Sequence, residues 1–235
     1  AIKPLELDLY VPEKNVAIEY HGLFWHSGGF NDEYNKNKHR DKFLACEKEG
    51  IKLIQIFGDE WENKKDLCKS MIEARLGKSS IKLNARDCVF EKLSPTDARL
   101  FLSEAHIDGA AQSKAYFGLK KDNKIVSVLS IRTPMAKSYG KVQEISRMAT
   151  SKNTVVRGGA AKMMKYVSLW CRENGYDGIL TYADLRFGSG NVYEQCGFSR
   201  KPDARTINYW YTDGIRRYHR FEFRAQNGMK EKEYA

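Results

Sequence analysis

Apolar residues alternate with single acids near the start of the chain. Leu5, Leu7 and Leu9 bracket Glu6 and Asp8, and Val16-Ala17-Ile18 runs into Glu19-Tyr20-His21. A period of two predicts two β-strands, on the second of which Glu19 and His21 share a face; if the strands pair, Asp8 converges on them. Asn31 to Gly50 is polar with a helical period, Tyr34, Phe43, Leu44 and Cys46 marking its buried face and Gly50 its stop. Ile51 to Phe57 is dense in apolar and β-branched residues and reads as a buried strand. Asp59 then caps a helix that runs to about Leu76.

Gly77-Lys78-Ser79-Ser80 punctuates the pattern, and a linker is expected over 78–86. A second αβ series follows over 87–226, with a tail at 227–235. Strands are expected at Cys88–Leu93, Ala115–Leu119, Ile125–Arg132, Val142–Thr150 and Gly178–Ala183. Ser94-Pro95 opens a helix to about Ala105, Arg157-Gly158-Gly159 opens one reaching Asn174, and Gly190–Cys196 forms a short one. A hairpin closes the series, Ile207–Thr212 and Tyr218–Phe223 turning at Asp213-Gly214. The fold class is α/β (α+β) in two domains, divided at residue 77.

Acids that interrupt apolar strands suit metal-assisted hydrolysis, two carboxylates holding Mg²⁺ while a neighbouring base activates water. Asp8 followed by Glu19-Tyr20-His21 and Gly22-Leu23-Phe24-Trp25-His26 resembles the PD-(D/E)XK nuclease superfamily, within it the Vsr-like endonucleases and related phage homing endonucleases. The resemblance covers roughly residues 4–76, with His21 in place of the usual Lys. It implies a restriction-endonuclease-like mixed sheet flanked by helices. It also implies Mg²⁺ (or Mn²⁺) at Asp8, with Glu19 or the Tyr20 backbone helping, and His21 and His26 near the phosphate. His39 and Lys42, three residues apart on the predicted helix, are further candidates, and Glu60 another.

The later series is similar to the GNAT acetyltransferases. Arg157-Gly158-Gly159-Ala160 lies where that family places its glycine-rich loop, and Tyr193-Glu194-Gln195-Cys196-Gly197-Phe198 matches its Tyr-x-x-x-Gly-Phe segment. The family's pattern has Arg or Gln where this chain has Val155. The resemblance implies a helix N-terminus whose backbone N–H groups bind the pyrophosphate of acetyl-CoA, or a DNA phosphate by the same physics.

Charge changes the picture. Residues 1–77 hold 12 Lys+Arg and 14 Asp+Glu, whereas 78–235 hold 28 and 16, so the whole surplus of +10 lies in the second part. A polyanion such as double-stranded DNA is the expected partner, with Arg157, Lys162, Arg186, Arg216, Arg217 and Arg220 as contacts. In the closing hairpin Arg216, Arg217 and Arg220 interleave with Tyr209-Trp210-Tyr211, Tyr218, Phe221 and Phe223. Five scattered cysteines without a Cys-x-x-Cys pair fit reduced thiols in a cytoplasm, that of a bacterium or of a phage host. No apolar run approaches the roughly 20 residues of a membrane span. The expectation is a metal-dependent DNA endonuclease of the phage homing or mobile-element type. Its alternatives are an acetyl-CoA-dependent modifier of DNA or nucleotides and a non-catalytic DNA-binding relative of nucleases.

Overall fold

A computed structural model describes residues 2–3, 5–24, 38–135, 137–201, 210–219 and 222. His26, Arg220 and the tail at 227–235 lie outside them. The chain divides into two compact units: residues 1–65, 184–189 and 200–235 form one, and 66–183 with 190–199 the other. Among the described residues no helix is long and apolar enough to cross a membrane.

The first unit is a three-stranded mixed sheet. Strand β1 (Leu9–Val11) pairs antiparallel with β2 (Val16–His21), and β2 pairs parallel with β3 (Lys52–Phe57). Helix α1 (Lys38–Lys48) makes the crossover and buries Phe43 and Cys46 against Ile2, Ala17, Ile51 and Leu53. Helix α2 (Gly58–Leu76) follows; Lys64, at φ −136° and ψ 38°, breaks its helical path beside the boundary between the units.

Two distant segments complete this unit. Leu185 packs on the Phe43 cluster, and Gln55 N donates to Arg186 O at 2.9 Å. The closing hairpin, β11 (Trp210–Thr212) and β12 (Arg217–His219), was expected in the second domain but belongs here. The reason is ionic: Arg217 Nε donates to Asp59 Oδ1 at 2.9 Å and its Nη2 to Glu60 Oε1 at 2.7 Å.

The second unit carries a five-stranded sheet in the order β10-β8-β7-β6-β5, formed by β5 (Val89–Lys92), β6 (Ala115–Lys121), β7 (Lys124–Arg132), β8 (Val142–Thr150) and β10 (Gly178–Thr181). Only the β8–β10 pair is parallel. One face packs on α4 (Gly159–Glu173) through Phe117, Leu119, Leu129, Ile131, Ile145, Met163 and Val167. The other packs on α3 (Pro95–Ala105) through Tyr116, Val128, Ala98 and Leu102. Ser94 caps α3, its hydroxyl accepting from Asp97 N at 3.1 Å. A short helix, α5 (Asn191–Gln195), ends the unit.

Two elements depart from expectation. The presumed linker contains β4 (Ile81–Asn84), and the glycine-rich loop contains β9 (Thr154–Arg157); the two pair in parallel. Local periodicity cannot announce a parallel partner some 70 residues away.

Gly118 in β6 is held to glycine by space. A Cβ there would meet Leu93 Cδ1 at 2.5 Å and the Ser127 carbonyl oxygen at 3.0 Å. Backbone cannot swing aside as a side chain can, so Gly118→Ala should cost about 1–3 kcal/mol, read from urea unfolding.

Candidate active site

Strand β10 runs beside β8 only from Gly178↔Val142 to Thr181↔Ile145, so Ser146–Thr150 continue without it. The divergence coincides with an irregularity: Ser130 pairs with Arg147 and Ile131 with Ile145, leaving Ser146 as the extra residue of a bulge. Its hydroxyl is fixed by those of Ser113 and Ser130, each at 2.8 Å.

The helix that crosses from β8 to β10 starts at the same end of the sheet. Gly158 precedes it at φ 73°, a left-handed conformation suited to glycine, and its carbonyl accepts from Lys162 N at 3.0 Å. The N–H groups of Gly159, Ala160 and Ala161 thus precede any helical acceptor and form the positive end of the helix dipole. Lys162 folds back, donating from Nζ to Ala85 O at 2.9 Å and Cys88 O at 2.5 Å. The C-terminal ends of parallel strands, with a helix N-terminus beside them, are where open αβ sheets bind ligands.

Tyr193 reaches this end from α5. Burial raises its phenol above the ordinary range, against a hydrogen bond with Thr181, the last residue of β10. On the sheet, Glu144 is buried and Arg132 lies opposite it in register. Arg132 Nε and Nη2 both donate to Glu144 Oε1, at 2.9 and 2.6 Å, which leaves Oε2 as an acceptor. Tyr182 stands nearby, its phenol pushed up to about 12 by a hydrogen bond with Tyr139 and then by burial. Glu144, Arg132, Tyr139 and Tyr182 were not singled out from the sequence. Glu144 lies in the polar-rich stretch Val142-Gln143-Glu144-Ile145, yet it is a buried strand acid as Glu19 is.

In the first unit, Asp8, Glu19, Tyr20, His21, Lys38, His39 and Lys42 line one cavity of about 200 Å³. Period-two spacing places Glu19 and His21 and helical spacing His39 and Lys42, while Asp8, just before β1 rather than on the strand expected there, joins them through hydrogen bonds to Glu19 and Tyr20. Both carboxylates are engaged within the cavity. Asp8 Oδ2 accepts from Tyr20 N at 2.8 Å, Glu19 Oε1 accepts from Asp8 N at 3.0 Å, and Lys42 Nζ lies 2.5 Å from Glu19 Oε2. The His21 and His39 rings meet edge to face with centroids 4.1 Å apart, and His21 Nε2 is 3.1 Å from Gln55 Oε1. Among the described residues no group of three or more His, Cys, Asp and Glu side chains is placed to hold a metal ion.

The candidate DNA contacts scatter. Arg157 is exposed, and Arg216 is 67% exposed. Arg186 and Arg217 are 18% and 10% exposed and committed to Glu60, Arg186 also to Asp184 and Arg217 also to Asp59. Glu60, a weaker candidate for catalysis, is the hub of these ion pairs.

Comparison with known proteins falls on the second unit. Residues 82–198 match the acetyltransferase (GNAT) family. That part of the chain is a GNAT acetyltransferase domain. Similar solved structures include an aminoglycoside acetyltransferase from an uncultured soil metagenomic sample, 17% identical, covering 54% of this chain and 97% of that one at a TM-score of 0.43. A glucosamine-6-phosphate N-acetyltransferase from Arabidopsis thaliana is 15% identical, over 52% and 97% of the two chains, at 0.39. A predicted acetyltransferase with acetyl-CoA from Clostridium acetobutylicum is 17% identical, over 52% and 96%, at 0.39. No curated protein matches the chain.

The family match overturns the expectation of a metal-dependent endonuclease and hydrolase. It supports the alternative, an acetyl-CoA-dependent transferase. A mixed αβ fold with a GNAT-like domain is observed; for residues 1–77 the strands exist, but no match ties them to the Vsr-like nucleases.

Proposed function

We propose that the second unit transfers an acetyl group from acetyl-CoA to an amine. One observation carries the reading. An open strand edge, a glycine-led helix N-terminus and a phenol that keeps its proton converge at one end of β8 and β10, inside the stretch that matches the GNAT family.

The residues suit the cofactor. The N–H groups of Gly159, Ala160 and Ala161 can cradle a diphosphate, and the exposed Arg157 adds charge beside them. A Cβ on Gly159 would come within 3.1 Å of Val156, so this close turn depends on glycine. The edge of β8 beyond Ile145 offers backbone groups to an extended amide chain.

Bound acetyl-CoA supplies a thioester carbonyl as electrophile. Glu144 Oε2 accepts the proton an attacking amine must lose, while Arg132 holds the carboxylate in place through Oε1. Tyr193, protonated at neutral pH, would supply the proton that a thiolate leaving group needs. Tyr139 and Tyr182 present phenol oxygens and ring faces that favour a cationic amine over an anionic acceptor.

Calorimetric titration with acetyl-CoA, then turnover with a panel of primary amines, tests the reading. Ala160→Asp sets a like charge against the diphosphate and should weaken binding at least about tenfold. Asp8→Ala should leave binding and turnover intact. A wild-type protein that does not bind acetyl-CoA, or loss of turnover in Asp8→Ala, would sink the proposal.

A further inference from the structure

The small parallel pair β4–β9 has an outer face. Register places Lys82 opposite Val155 and Asn84 opposite Arg157, and these four project to one side. Val156 points the other way and packs on the core. Lys82 and Arg157 are exposed on that outer face.

The connections at each end add more cations. Ile81 N donates to Asn153 O at 2.9 Å, and Asn153 N to Ser70 Oγ at 2.7 Å, which sets the segment beginning at Lys78 beside Lys152. Both lysines are exposed. At the far end Arg86, 84% exposed, follows β4 in the turn that accepts Lys162. Residues 78–87 and 152–157 thus run side by side as one strip of chain that carries Lys78, Lys82, Arg86, Lys152 and Arg157, all exposed, with Asp87 the one acid in these segments.

We infer that this strip is a docking surface for the phosphate backbone of duplex DNA. Within the strip Arg86 alone meets an acid, Asp87 at 3.9 Å on the exposed surface, so a large positive excess remains, and a polyanion gains affinity by releasing its counterions. The choice of duplex over single strand follows from composition. Single strands are held by stacking bases on aromatic rings, and neither segment contains Phe, Tyr or Trp. Backbone contact without base stacking is the mode of sequence-independent duplex binding. The inference does not depend on acetyl transfer, because four of its five cations, all but Arg157, lie outside the proposed cofactor and catalytic groups.

The experiment is fluorescence anisotropy of a labelled duplex of roughly 20 base pairs, titrated with the full chain across a range of KCl concentrations. The variant is Lys78→Gln, Lys82→Gln, Arg86→Gln and Lys152→Gln combined. Arg157 is left alone because it flanks the proposed diphosphate site. With four contacts removed, the slope of log affinity against log salt should fall by roughly 3–4, and affinity near physiological salt by more than about tenfold. A second variant replacing the three lysines with arginine should bind like wild type, which separates charge from folding. A slope changed by less than about one overturns the inference, as does tighter binding of a single strand of the same length. So does a variant that keeps duplex affinity but loses acetyl-CoA, since the cations would then serve the nucleotide of the cofactor.

Discussion

Glu144→Gln should lower kcat for amine acetylation by about 10²–10⁴-fold while leaving the Kd for acetyl-CoA within a factor of about two. The amide keeps the shape of the carboxylate and can still accept from Arg132 through its oxygen, so the sheet should remain intact. What it loses is the ability to take a proton. An amine that stays protonated cannot attack, and the loss falls on turnover rather than on cofactor binding. The pH profile distinguishes this role from a structural one. If Glu144 is the proton acceptor, raising the pH supplies more deprotonated amine and should partly restore the variant. Tyr193 sets a limit from the other side. Its phenol is raised by burial, so its proton is present at neutral pH and lost only as pH climbs past the ordinary tyrosine range. A Glu144→Gln protein with unchanged kcat would remove Glu144 from the mechanism.

Arg217→Ala should destabilise the first unit by about 3–5 kcal/mol, measured by urea unfolding. The guanidinium is 10% exposed, bonded to Asp59 and Glu60, and its Cζ lies 4.1 Å from the Phe57 ring centroid and 5.1 Å from that of Trp210. Removing it leaves Asp59, 13% exposed, as a carboxylate cut off from solvent with its cation gone. Glu60 fares better, because Arg186 Nη1 remains 2.6 Å from it. The neighbouring Arg216 provides the comparison: its pair with Asp213 is exposed on both sides and screened by solvent, and Arg216→Ala should leave the urea midpoint almost unmoved. A double-mutant cycle with Asp59→Asn isolates the pairwise part. Equal costs for the two arginines would show that the ion pairs do not hold the hairpin.

Much of the fold was legible because its elements are set by local pattern. The alternation around Glu19, the β-branched run at Ile51–Phe57 and the Ser94-Pro95 helix start all gave the elements observed. The convergence of Glu19, His21, His39 and Lys42 followed from periods of two and three, whereas Asp8 joins them from the bend before β1. A strand acid paired with a lysine has the same sequence pattern as one that binds a metal, and only geometry showed Lys42 on Glu19. The internal ion pairs of Arg217 were hidden for a related reason. Arg217 and its partners Asp59 and Glu60 are some 157 residues apart, so no window around Arg217 reveals that its charge is spent internally. Glu144 was missed because a lone acid on a central strand gains meaning only when Arg132 lies opposite and β10 diverges one residue later.

The division of the chain has a consequence for its synthesis. Every strand and helix of the second unit is complete once Ser199 has been made, whereas the first unit needs Leu185, Arg186 and then Arg217 before its ion pairs can close. On a ribosome that adds about 5–20 residues per second, the N-terminal strands emerge first yet finish last. The acetyltransferase domain matures while the segment that preceded it still waits for its counter-charges.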